Sequence, residues 1–211
     1  MKVEKFDYND ILELNSNTYV VSDANNNAVV IDPSMDNDKL INYIEKNKLN
    51  VKGILLTHGH FDHIRGVDRL VNKYKVPLYI HFDEVEYLKN PRLNCSYMEG
   101  DSFVVESNPI SVIDNEELNL LESEVIKVIH TPFHTRGSVC YYFINNKLLF
   151  SGDTLFKMSI GRDDLPGAMS EKTYQSLSKI KKLPKETKIY PGHGPNTVLE
   201  SELALNHFLC F

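Results

Sequence analysis

Four side chains able to bind a metal, His58, His60, Asp62 and His63, fall within six residues of the run Leu55-Leu56-Thr57-His58-Gly59-His60-Phe61-Asp62-His63-Ile64-Arg65-Gly66-Val67. Imidazole and carboxylate are the donors that hard-to-borderline divalent ions take. One ion does not need so many from a single segment. The spacing therefore points to two ions side by side, and to hydrolysis by a hydroxide bridging them. The bland alternative is a polar surface loop, which offers no packing reason for four such residues beside an apolar strand.

The elements that must position this string can be read on either side of it. Asn17–Ser22 and Ala28–Asp32 are β-rich runs around an Asn-rich turn and read as a hairpin, broken by Pro33-Ser34. A helix follows with Leu40, Ile41 and Ile44 on one face, then a strand from Val51 to Thr57 that delivers the string. Ile64 to Lys75 reads as one helix, which puts Asp62 at its N-terminus, where free N–H groups favour a carboxylate. Pro77–His81 is a further strand, so part of the sheet is parallel or mixed.

From about Glu99 the rhythm is of short strands. Val125–His130 is one, and Ser138–Ile144 and Lys147–Ser151 form a hairpin across Asn145-Asn146, residues that tolerate positive φ. Ser170 opens a helix with Tyr174, Leu177, Ile180 and Leu183 on its apolar face. Lys188–Tyr190 is a final strand, and Thr197 to Glu200 reads as a capping box opening a last helix that runs to about Phe208. Strands then helix in each half suggest an α/β arrangement of two packed sheets with outer helices. No linker divides residues 1–211, so a single domain is expected.

Composition narrows the function classes. The 211 residues are 42% hydrophobic and 25% charged, as in a soluble globular chain. A net charge of −6 gives no electrostatic case for nucleic acid or an anionic membrane as partner. The start MKVEKFDYND lacks the apolar core of a secretory signal. Cys95, Cys140 and Cys210 are distant and odd in number, which argues for three unpaired thiols and a cytoplasmic location.

Three more ligand types share one setting, a Gly- or Pro-containing loop after an apolar strand: His134, Asp153 and His193. Such loops can converge on one sheet edge. His81, His130 and His207 have no motif around them, and His130 is close enough to His134 to support it.

The ordered set H-x-H-x-D-H, His134, Asp153, His193 resembles the metallo-β-lactamase superfamily, and within it the glyoxalase II group of hydroxyacylglutathione hydrolases. The framing runs Asn17-Thr18-Tyr19, Ile31-Asp32-Pro33, Gly152–Phe156 and Pro191–Gly194 match too, and Ser159–Gly167 resembles the short, single-domain bacterial members. The resemblance implies a four-layer αββα sandwich of two mixed sheets. It implies that His58, His60 and His134 bind one metal, that Asp62, His63 and His193 bind a second, and that Asp153 bridges them. The metals are expected to be zinc, with iron or manganese accepted by the same donors. Asp62 is also expected to orient the hydroxide. A small-molecule thioester such as a hydroxyacylglutathione is the expected substrate.

Departures from the family bear on substrate. Phe133 precedes His134 where glycine is usual, and Arg65 and Arg136 add cations near the metal loops, which would favour an anionic substrate if they are more than surface variation. Longer glyoxalase II enzymes grip glutathione with a further helical domain, and this chain has only 18 residues after His193. Arg162, in the loop after Asp153, is the expected substrate-side cation, with pairing to Asp163 or Asp164 as the alternative. Tyr141 and Tyr142 alternate along a strand, so one faces the core and Tyr142 is taken to face the cleft. The alternatives on the same fold are a mononuclear-iron persulfide dioxygenase and a lactonase. A flavodiiron protein would carry an acidic residue at His60, and a β-lactamase is disfavoured because no cysteine sits in a metal motif. A non-enzymatic binding module would be expected to lack ligands.

Overall fold

Strands with alternating apolar faces must be covered on both sides when neither face is polar, and this chain does so in layers. The computed structural model describes residues 1–7, 15–100 and 102–210. Its first half supplies β1 (Lys2–Phe6), β2 (Thr18–Ser22), β3 (Asn27–Ile31), β4 (Asn50–Leu55), β5 (Leu78–His81) and β6 (Ile110–Val112). They lie in that order, antiparallel from β1 to β3 and parallel from β3 to β6. The second half supplies β7 (Glu117–Leu121), β8 (Glu124–His130), β9 (Val139–Phe143), β10 (Leu148–Gly152), β11 (Lys188–Pro191) and β12 (Thr197–Val198). These form a second sheet in reverse order, in which β10 and β11 run parallel and the other neighbours antiparallel.

Among the described residues five α-helices, α1 (Asp38–Lys46), α2 (Phe61–Ile64), α3 (Val67–Tyr74), α4 (Thr173–Ile180) and α5 (Leu199–Leu205), accompany the sheets. Three apolar clusters fill the spaces. One holds Val30 and Ile54 from the first sheet with Leu40, Ile44 and Leu70 from α1 and α3. A second lies between the sheets, where Tyr19, Val29, Ile31 and Leu55 meet Ile126, Val128, Tyr141, Phe143 and Phe150. The third puts Leu177, Ile180 and Leu199 of α4 and α5 on the outer face of the second sheet. The result is the expected α/β order of helices, sheet, sheet, helices. Among the described residues no helix is long and apolar enough to cross a membrane.

Strand parity corrects one expected site residue. On β9, Val139, Tyr141 and Phe143 face the inter-sheet core, whereas Cys140 and Tyr142 face α4 and α5. Tyr142 therefore packs with Ile129 and Ile180 beneath α4, on the side of the sheet away from the inter-sheet core, and does not face the cleft as expected. Tyr141, fully buried, donates its hydroxyl to the Leu56 carbonyl at 3.0 Å.

Other expectations shift locally. The single helix from Ile64 to Lys75 is two, α2 and α3, separated at Arg65-Gly66. Gly66 N–H leaves the helical ladder to bond the Pro33 carbonyl at 2.8 Å, and a Cβ on Gly66 would stand 2.5 Å from the Met35 carbonyl oxygen. In the β9–β10 connection the left-handed residue is Lys147 (φ 53), not either asparagine. Asn145 and Asn146 instead tie this turn to the neighbouring β7–β8 turn through the Ser123 carbonyl and Glu124. Thr197 is in β12 rather than capping a helix, and its hydroxyl bonds Glu202 at 2.6 Å. Tyr174, expected on the apolar face of α4, is 63% exposed.

Candidate metal centre

The ligand-type residues sit at or just beyond the carboxyl ends of strands. Asp32 follows β3, and His58 and His60 follow β4 with Asp62 and His63 on α2. His134 follows β8, Asp153 follows β10 and His193 follows β11. The carboxyl ends of strands from both sheets thus open into one place, the usual location of sites in α/β folds. All seven predicted ligands meet there, and the six other than His193 are buried.

Their donor atoms form contiguous groups. The ligand atoms of His58, His60 and His134 lie within 4.8 Å of one another, as do those of Asp62, His63 and His193, and those of His58, His63 and Asp153. His60 Nδ1 lies 3.1 Å from His58 Nε2 and 3.0 Å from His134 Nε2. Asp153 joins the groups: Oδ1 is 3.4 Å from His63 Nε2, while Oδ2 is 3.5 Å from His134 Nε2 and 3.6 Å from His193 Nε2. Asp62 Oδ2 is 3.2 Å from His193 Nε2 and 3.6 Å from His63 Nε2.

The far side of each ring fixes which nitrogen is left bare. His134 Nδ1–H donates to the Arg162 carbonyl at 2.7 Å, so Nε2 carries the lone pair. His63 Nδ1–H donates to Asp32 Oδ2 at 2.9 Å with the same consequence. The Thr57 hydroxyl donates to Asp32 Oδ2 at 2.6 Å and accepts from His58 Nδ1–H at 3.2 Å. Three lone pairs are thereby aimed at the centre. His63 Nε2 and Asp153 Oδ1 are buried there with no hydrogen-bond partner. Orphaned buried ligand atoms of this kind, with His63 turned inward by its outer hydrogen bond, fit divalent ions.

Electrostatics separate the two halves. Burial first, and then the neighbouring His63, His60 and His134, hold His58 well below the usual imidazole range. Burial and His134 push His60 down to about 3. Burial would also depress His63, but Asp62, Asp32 and Asp153 around it hold it well above its ordinary value. Asp153 is buried, yet His193, His63 and His134 keep its carboxyl well below the usual range. His58 and His60 as neutral imidazoles and Asp153 as a carboxylate are already in the forms that bind metal, whereas His63 must release its Nε2 proton to an incoming ion.

Two residues with a supporting role escape the motif reading as ligands. Asp32 is held with φ 47, uncommon for a residue with a side chain, and its carboxylate accepts from Thr57 N–H at 2.8 Å as well as from the Thr57 hydroxyl and His63. The sequence signal was an aspartate before proline at the end of an apolar strand. Asn17 holds the opposite rim. Its side chain donates to the Pro191 and Gly194 carbonyls, and its N–H donates to the Gly192 carbonyl at 2.6 Å. Tyr19 OH also reaches the Pro191 carbonyl at 2.7 Å.

A cleft of about 430 Å³ opens onto the centre. His60, Asp62, His134, Asp153 and His193 form its floor, and Phe61, Met98, Phe156 and Leu165 form apolar walls with Cys95 and Glu99. Arg162 lines it too, forked onto Asp164 at 2.6 and 2.9 Å. Arg65 and Arg136 do not line it. Arg65 lies over the Phe61 ring and bonds Asn15, and Arg136 pairs with Glu86 beside the Tyr87 ring. Phe133 is fully buried in place of the usual glycine, its carbonyl accepting from Met169 N–H.

His81, Asp83 and His130 also bring ligand-type atoms together. The His81 and His130 rings, however, stack at 4.1 Å and 14°, so in-plane lone pairs run side by side instead of converging on one ion. His130 Nε2–H donates to the Arg136 carbonyl. Burial first and His130 second push His81 down to about 4. His81 is therefore neutral when folded and takes up a proton on unfolding below its ordinary value of 6.5. Its stabilising contribution is complete above that pH and lost as pH falls towards 4. His81→Gln is expected to flatten the fall in urea midpoint between about pH 7 and pH 4.5 relative to the parent. Parallel curves would show that His81 does not titrate on unfolding.

Sequence and structure comparisons identify the family. A profile described as "Metallo-beta-lactamase superfamily" matches residues 11–193. A "Probable metallo-hydrolase YqgX" of Bacillus subtilis is 36% identical over 193 residues, 90% of each chain. A "Hydroxyacylglutathione hydrolase" of Pelagibacter ubique is 36% identical over 182 residues, 86% of this chain and 67% of its own. The crystal structure of BLEG-1 B3 metallo-beta-lactamase superposes over 100% of both chains with a TM-score of 0.92 at 36% identity. That of TTHA1623 in a di-iron-bound form gives 0.83 at 34% identity, covering 92% of this chain and 95% of the other. With the strand-end histidines and the inward-turned aspartates all falling within one match that spans most of its length, the chain belongs to the metallo-beta-lactamase superfamily.

Proposed function

We propose that this metal-dependent enzyme is a binuclear hydrolase of thioesters, of hydroxyacylglutathione type. The observation that carries the reading is the placement of Asp153 between two three-residue donor groups, with one oxygen towards His63 and the other towards His134 and His193. His58, His60 and His134 would hold one ion and Asp62, His63 and His193 the other, most simply zinc, with Asp153 shared. When bound, two such ions supply a nucleophile at neutral pH by acidifying water, and polarise the carbonyl under attack.

The chain's own residues define the rest. The apolar walls, Phe61, Met98, Phe156 and Leu165, take the acyl or thiol portion and exclude bulk water. Asp62 lines the cleft with its carboxylate against His193, placed to orient the attacking oxygen and receive its proton. Arg162 stands at the cleft wall, where its guanidinium can exchange Asp164 for a substrate carboxylate. A thiolate leaves readily at low pKa, so hydrolysis requires no strong general acid.

The Pelagibacter relative's name supports the thioester, and the full-length likeness to a B3 metallo-beta-lactamase makes a cyclic amide the second substrate class to test. Elemental analysis of purified protein is expected to find two metal ions per chain, with turnover of S-lactoylglutathione exceeding that of a β-lactam and a lactone. One iron per chain with oxygen uptake on a persulfide and no hydrolysis would overturn the reading, and preferential β-lactam turnover would replace its substrate.

A further inference from the structure

The 3₁₀ segment Phe82–Lys89 runs beneath two of the metal loops and touches both through one carboxylate. Glu84 is fully buried. Its Oε2 accepts Gly59 N–H at 2.8 Å, and its Oε1 accepts Gly137 N–H at 2.8 Å. The Thr135 side chain also bonds it. Gly59 is the residue between His58 and His60, and Gly137 lies three residues beyond His134.

Both glycines are bare for the sake of the same segment. A Cβ on Gly59 would stand 2.5 Å from Tyr87 Cβ, and one on Gly137 would stand 2.7 Å from Glu84 Cγ. Neither has positive φ, so close approach and not backbone conformation demands glycine at these positions.

We propose that Glu84 is a positioning residue that straps together the loops carrying His58, His60 and His134, and so sets the affinity of that half of the centre alone. This rests on the two-metal reading above. Among the described residues Glu84 bonds neither α2, which carries Asp62 and His63, nor the His193 loop; His63 is held by Asp32, which through Thr57 also orients His58, and the His193 loop is held by Asn17. A carboxylate suits the place because every group facing it donates. Glutamine would have the same shape but turn an amide N–H₂ towards one of two backbone N–H groups, opening one side of the strap. Residues that orient ligand loops without binding the ion commonly tune affinity in this way.

The test is zinc titration of metal-free protein against a competing chelator, which reads each binding step without reference to turnover. His134→Ala and His193→Ala identify which step belongs to which half. Glu84→Gln is expected to weaken the His134 step by roughly 10 to 100-fold while the His193 step stays within about threefold. Gly137→Ala, which displaces the Glu84 side chain while leaving its carboxylate intact, is expected to show the same selectivity and carries the test if Glu84→Gln does not fold by circular dichroism. Equal weakening of both steps, or of neither, overturns the strap. If His134→Ala and His193→Ala abolish one and the same step, the two-metal reading fails, and the assignment of Glu84 to one half fails with it.

Discussion

Asp153→Ala is expected to empty both halves of the centre and to lower hydrolysis by about 10³-fold or more. The size follows from what two ions do to water: its pKa falls from near 15.7 to near 7, and without them almost no hydroxide is present at neutral pH. The breadth of the effect follows from geometry. One Asp153 oxygen faces His63 at 3.4 Å, and the other faces both His134 and His193 at 3.5 and 3.6 Å. Truncating His193 should remove one ion, whereas truncating Asp153 takes a donor from each set and leaves His63 and His193 facing one another with one carboxylate fewer. Metal content and thermal melting decide the matter together. Parent protein should lose melting temperature on chelation because ligand binding to the folded state stabilises it, and Asp153→Ala should melt at one temperature with or without chelator. A variant that retains two ions per chain would show that Asp153 is not shared.

Gly192→Ala is expected to cost on the order of 10²-fold in rate without removing any ligand. A Cβ at this position would fall well inside contact distance of Asp153 Oδ1 and 2.8 Å from His63 Cε1. The backbone cannot yield, because Gly192 N–H is bonded to the Gly152 carbonyl at 2.8 Å and its own carbonyl accepts Asn17 N–H at 2.6 Å. The shared carboxylate must therefore turn away, and displacing a reacting group by about 1 Å can cost on the order of 10²-fold in rate. Gly194→Ala is the contrasting control. That glycine has φ +76 with nothing within 4 Å of a built Cβ, so alanine should cost about 1–2 kcal/mol of stability through backbone strain and leave metal content intact. Gly192→Ala with normal metal content and turnover would mean that the loop is softer than its hydrogen bonds imply.

The metal loops could be read from the sequence because ligand chemistry is local: His58 to His63 carry their meaning in six residues. The expected clustering of His134, Asp153 and His193 also corresponds to their placement at strand ends. What escaped the reading depends on distant partners. Glu84 looks like any acidic residue in FDEVEYLK until the fold lays it against Gly59 and Gly137. Tyr142 was misassigned because alternation tells which residues share a face without telling which face meets the cleft. The break at Gly66 answers to the carbonyls of Pro33 and Met35, some thirty residues earlier, and not to helix propensity. Thr197 had the spacing of a cap, but β11 claimed it as a strand partner.

The centre draws on strands from both sheets, and its donors run from His58 to His193. Ions seated there would act as a cross-link closing a very long loop of chain, one that could form only once the two sheets have docked. A link made only after docking would be missing from a transition state that precedes docking and would have to break when the sheets part, so its influence would fall on the rate of unfolding far more than on the rate of folding. Metal supply would thus govern how long each molecule survives once folded, and the paired sheets would find each other without it.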